Sequence, residues 1–166
     1  LLRTVKENAL LLHHDPQNYD ARAEVMWAGS LSHNNLTGCG NDGGDFATHM
    51  LEHEVSGMFN VTHGAGLAAI WPSWARYVYQ NDLPRFVKFA KNVMKVQKQG
   101  TDEEIALAGI DKMVEFYHSI GMPTNFAEIM EMAKSCSNAT GGHKGSAKVL
   151  YYDDMVQIYK MANQEI

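Results

Sequence analysis

The stretch "THMLEHEVSGMFNVTHGAGLA", Thr48 to Ala68, sets three histidines, His49, His53 and His63, within 15 residues of an otherwise apolar run. His49 and His53 stand four apart, so on a helix they share a face, close enough for one ion. His63 follows His49 by fourteen residues, a rise of about 21 Å on an unbroken helix. Metal–nitrogen bonds are about 2 Å long, so His49 and His63 meet only if the chain turns between them. Gly57 and Asn60 weaken the helix end, and Thr62 suits the start of a new helix. The spacing thus permits a helix, a corner and a second helix with His63 at its mouth.

On residues alone three readings stay open. Two of the histidines can share a metal, as His49 with His63 or His49 with His53. "HMLEH" also matches the inverted zincin motif H-x-x-E-H, in which Glu52 is the general base of a small zinc hydrolase. Thirdly, the histidines can be ordinary polar residues of a non-enzymatic helical module. A catalytic site with an open position takes about three protein ligands, so either pair leaves a shortage. Asp45, four residues before His49, has a spacing that could contribute. His13, His14, His33, His118 and His143 have no helpful spacing.

Outward from this segment, helical periodicity dominates. Helices are predicted over Leu1–His13, Tyr19–Leu36 (apolar stripe Ala23, Met26, Trp27, Ser30, Leu31), Thr62–Tyr79, Asp82–Gln97, and from "TDEE" (Thr101–Glu104), a capping box, to Gly121-Met122-Pro123. Short helices are expected near Phe126–Lys134 and Asp153–Asn163. "TGCGNDGGD", Thr37–Asp45, lacks the GK[ST] of a phosphate loop and reads as a connector; Asp45 can cap the helix that follows. No alternating strand pattern stands out. The expectation is one all-helical domain over residues 1–166.

The gross numbers agree. The 166 residues are 45% apolar, which suits a globular chain with a real core. A net charge of −5 gives no electrostatic reason to expect nucleic acid or an anionic membrane. Lys88, Lys91, Lys95 and Lys98 align on one helical face, read as solvated. No apolar run approaches the roughly 20 residues of a membrane span. Two cysteines, Cys39 and Cys136, make no disulfide framework, and the compartment expected is the cytoplasm. The ten methionines read as core filler.

"GDFATHMLEHEVSGMFNVTHGAGLAAIWPSW" (Gly44–Trp74) resembles the second signature of the iron-containing, or group III, alcohol dehydrogenases, nearest to their butanol dehydrogenase branch. "DPQNYDARAEVMWAGSLSHNNLTGCG" resembles the helix that precedes this signature. "ATGGHKGSAKVLYYDDMVQIYKMA" resembles the family's C-terminal loop and last helix. The resemblance implies an all-α bundle like the C-terminal domain of the dehydroquinate synthase-like and iron-containing alcohol dehydrogenases.

It also implies a division of labour. His49 and His63 are metal ligands. His53 is no ligand; it lies beside the nicotinamide and substrate and helps move a proton. Glu52 then has no role as a base. Two further ligands, an aspartate and a histidine four apart, belong to an earlier helix, and the dinucleotide-binding α/β domain likewise precedes Leu1. The expected activity is hydride transfer between NAD(H) or NADP(H) and a short-chain primary alcohol or aldehyde, with Fe(II) or Zn(II) as Lewis acid. The expected whole is a homo-oligomer, and the fragment alone is expected to be inactive. Phe46, Phe59, Trp71 and Trp74 could shape an alkyl pocket, although core packing suits each of them too. One departure stands out: the family often carries Asn-Pro-Arg after the Gly-Gly, where this chain has His143-Lys144-Gly145, in a loop that normally borders the nicotinamide pocket.

Overall fold

The computed structural model describes residues 1–40, 44–124, 138 and 141–163. Among them run seven α-helices: α1 (Leu2–His14), α2 (Tyr19–His33), α3 (Ala47–Phe59), α4 (His63–Val78), α5 (Leu83–Asn92), α6 (Asp102–Ser119) and α7 (Tyr152–Ala162). Two-residue strands, β1 (His143–Lys144) and β2 (Leu150–Tyr151), pair antiparallel with His143 opposite Tyr151. The architecture is all-helical, as expected. The helix expected near Phe126–Lys134 lies outside the described residues. No helix among those described is long and apolar enough to cross a membrane.

Packing divides the chain into two compact units, Leu1–Gly44 and Asp45–Ile166. In the first, α1 lies against α2. Asn18 caps α2, its side chain accepting from the Ala21 N–H at 3.0 Å. The stripe predicted for α2 is not its buried face: Met26 and Trp27 are exposed, whereas Ala21 and Ala28 are buried. Small side chains let two helices approach where large ones cannot. The helix stops at His33, short of Leu36, because Asn35 takes a left-handed backbone (φ 65°) that ends helical hydrogen bonding.

The second unit is built around α4, which packs against α3, α6 and α7. Apolar on most sides, α4 buries Ala68, Ala69, Ile70, Ala75 and Val78, as a central helix must. Leu51 and Val55 of α3, Ile110 of α6 and Ile158 of α7 complete this core, each fully buried aliphatic chain contributing roughly 1.5–3 kcal/mol. Tyr159 of α7 donates from its buried hydroxyl to the Leu51 carbonyl at 2.6 Å.

A second, smaller core joins α5 to α6 through Ala90, Met94, Val96 and Ile105. Here α5 ends at Asn92 rather than Gln97. Lys95 is left-handed (φ 57°), and the reversal lets both Met94 and Val96 reach the core. Lys95 and Lys98 therefore leave the helical face predicted to hold all four lysines. The capping box is as read: Thr101 Oγ1 accepts from the Glu104 N–H at 3.2 Å, and Glu104 Oε2 accepts from the Thr101 N–H at 2.8 Å.

Two positions in this unit yield measurable consequences. Gly109 of α6 sits directly on α5, and a Cβ there would come within 2.8 Å of the Ala90 Cα. Helix propensity favours alanine over glycine by about 1 kcal/mol, but a backbone overlap must be relieved by shifting a helix. Gly109→Ala is expected to destabilise by about 1–3 kcal/mol, read as a lower denaturation midpoint. The second is Asp154, which accepts from Tyr77 Oη, from Lys148 Nζ at 3.0 Å and from the Tyr151 N–H at 2.9 Å. Partial burial raises its pKa, and the Tyr77, Tyr151 and Lys148 bonds together outweigh that, so its carboxyl sits below the ordinary value. Stability from a lowered carboxylate is full above the unfolded value, about 3.9, and is lost as pH falls through the folded one. The gap in Tm between the wild type and Asp154→Asn is therefore expected to close below about pH 4.

Candidate metal centre

The site is made by the corner between α3 and α4. The corner begins with Asn60, left-handed at φ 51°, whose N–H bonds the Ser56 carbonyl at 2.9 Å. Thr62 is extended, and its carbonyl accepts from the Ala65 and Gly66 N–H groups at 2.9 and 3.0 Å. Its hydroxyl makes no capping bond, so Thr62 occupies the expected place without the expected side-chain role. His63 is the first residue of α4.

This reversal returns His63 to His49. His49 Nδ1 lies 3.1 Å from His63 Nε2, and the two ring centroids are 5.2 Å apart. The His53 ring stands 5.4 Å from that of His63. One nitrogen from each of the three falls within 4.8 Å of the others. Two nitrogens bound to one ion at about 2.1 Å, subtending about 90–110°, stand about 3.0–3.4 Å apart. The His49–His63 separation meets that requirement. His49 is half-buried, and His53 and His63 are exposed, so the cluster opens on one side.

Glu52 lies beneath it. With no exposed surface, it meets His63 Nδ1 through one carboxyl oxygen and accepts from the Ser56 hydroxyl at the other. A Cβ at Gly66 would run into its side chain, 2.7 Å from Cγ, so glycine leaves the space Glu52 fills. Sequence reasoning gave Glu52 a role only in the hydrolase reading and missed this one. A signal was present: Thr48, Leu51, Glu52 and Val55 form the buried stripe of α3, and an acid inside such a stripe demands a partner.

Asp45 takes no part in the histidine cluster. Its Oδ1 accepts from the Ala47 N–H at 2.7 Å, and its Oδ2 accepts from the N–H groups of Ser146 and Ala147 at 2.8 and 2.7 Å. It fastens the start of α3 to the connection between β1 and β2. Of the four aromatics considered for a pocket, Trp71 packs on Phe89 and Tyr117, and Trp74 on Phe86. Both belong to the core. Phe46 is half exposed and lies against His49, with centroids 5.4 Å apart; Phe59 is exposed at the end of α3. His118 bonds Thr124 at 2.9 Å and His33 bonds the Gly29 carbonyl at 3.0 Å, each local to its own helix end.

Fold and site together point to one family. The chain belongs to the Fe-containing alcohol dehydrogenase family, residues 1–162 matching its C-terminal part. Over 96% of its length it is 34% identical to NADH-dependent butanol dehydrogenase A of Clostridium acetobutylicum, of which the match covers 43%. It is 40% identical over 77% of its length to a probable NADH-dependent butanol dehydrogenase of Bacillus subtilis, covering 33% of that protein. The crystal structure of NADH-dependent butanol dehydrogenase A from Thermotoga maritima superposes with a TM-score of 0.91 at 28% identity, covering 98% of this chain and 44% of that one. The chain thus spans less than half the length of these relatives.

Asp45→Ala removes three backbone bonds, each contributing about 1 kcal/mol net. A loss of about 3 kcal/mol is expected in chemical denaturation, and a smaller one for Asp45→Asn, which keeps an acceptor oxygen.

Proposed function

We propose that this chain is the metal-holding part of an NAD(P)-dependent alcohol dehydrogenase that interconverts short-chain primary alcohols, butanol among them, and aldehydes. The observation that carries the reading is the 3.1 Å approach of His49 Nδ1 to His63 Nε2 across the α3–α4 corner, in a chain of this family. When bound, a divalent ion, Fe(II) or Zn(II), supplies Lewis acidity toward the alcohol or aldehyde oxygen, while NAD(H) or NADP(H) carries the hydride.

His49 and His63 hold the ion on this side. The remaining ligands come from an upstream segment, as does the dinucleotide site, in a protein that assembles as a homo-oligomer. His53, exposed beside His63, borders the nicotinamide and passes the alcohol proton toward solvent, a role imidazole suits. Phe46, against His49, offers apolar surface to a short alkyl chain. A hydrolase using Glu52 as base would need that carboxyl beside a water on the ion. Glu52 is instead buried and bonded to His63 and Ser56, which disfavours it.

In the intact protein that carries this chain, His49→Ala and His63→Ala are each expected to lose bound metal, measured by elemental analysis, and with it butyraldehyde reduction. His53→Ala is expected to keep the metal and lose about 10²–10⁴ in turnover. A His53→Ala protein without metal, beside a His63→Ala protein that kept it, would reverse the assignment. The 166-residue chain by itself is expected to show no turnover with either nicotinamide.

A further inference from the structure

We propose that Glu52 is the positioning residue for His63, holding its Nδ1–H so that Nε2 presents a lone pair to the ion. The inference rests on the reading of His63 as a ligand and adds a part that the ligand assignment lacks. An imidazole has two nitrogens, and only the unprotonated one can bind a metal. His63 stands on the first position of α4, exposed, where nothing in the helix backbone fixes its tautomer or its ring angle. Glu52 supplies both. It reaches from inside α3 to Nδ1, leaving Nε2 directed at His49.

The carboxyl is itself constrained. Ser56 Oγ, one turn further along α3, donates to its other oxygen, and lies 3.2 Å from the Val61 carbonyl inside the corner. Gly66 leaves the room it occupies. A buried acid of this kind is costly unless bonded, so Glu52 and the His63 ring orient each other. The arrangement Ser56–Glu52–His63 is the outer support that metal-bound imidazoles commonly need, whose removal costs about 10–100-fold in metal affinity.

The experiment uses the intact protein with Zn(II) titrated into the metal-free form, and Co(II) as a spectroscopic probe. Glu52→Ala is expected to bind Zn(II) about 10–100-fold more weakly and to alter the Co(II) ligand-field bands. Glu52→Gln, whose amide oxygen still accepts from Nδ1–H, is expected to recover part of that loss, a rescue that a merely structural side chain would not give. In metal-free wild type, ¹⁵N NMR is expected to find the His63 proton on Nδ1. If Glu52→Ala binds within twofold of wild type while His63→Ala loses the ion, the positioning role is wrong and the ligand assignment stands. If His63→Ala itself binds as wild type does, the ligand reading beneath both is wrong. Should Glu52→Ala fail to fold, the NMR measurement decides: a proton on Nε2 overturns the proposal and one on Nδ1 supports it.

Discussion

A carboxyl group with no exposed surface, Glu52, is tied across a helix corner to an imidazole that stands in the open. An acid in that position is tolerable only if its oxygens find donors. Ser56 stands one turn on along α3 itself, and His63 is returned to the acid by the reversal at Asn60. Were α3 to run on through Asn60, His63 would sit about 21 Å from His49, and Glu52 would lose its partner. The corner, the buried acid and the histidine cluster are therefore one constraint seen from three sides. Gly66 belongs to it as well, since any side chain there would push against the acid that the corner depends on.

Much of this was readable beforehand. The helix-weakening Gly57 and Asn60 and the position of Thr62 were enough to permit a corner, because each rests on local backbone preference. The Thr101–Glu104 box was equally legible, being a contact between residues three apart. Family likeness, not spacing, divided the three histidines into ligands and relay. Geometry alone groups all of them within 4.8 Å.

What escaped was decided by packing. Glu52 sat in an apolar stripe and was assigned by motif instead of by its surroundings. For Trp71 and Trp74 the sequence left pocket wall and core packing both open, and only the tertiary arrangement, with their rings against α5 and α6, decides for the core. The end of α5 was misplaced by five residues because Met94 continued a helical stripe. Its burial is real, but it is reached through a left-handed Lys95, which carries no marker as plain as glycine. In α2, large residues were expected inside and alanines took their place.

The bonds from Asp45 to Ser146 and Ala147 span 101 and 102 positions, and that from Tyr159 to Leu51 spans 108. Contacts so remote along the chain carry the steepest loop-closure entropy, whereas α5 and α6 meet across a short connection. The order of assembly follows from that difference: the α5–α6 hairpin is expected to condense early, and the frame around the histidine cluster to close late. A nascent chain would then hold the α3–α4 corner before the bonds from Asp45 and Tyr159 close around it.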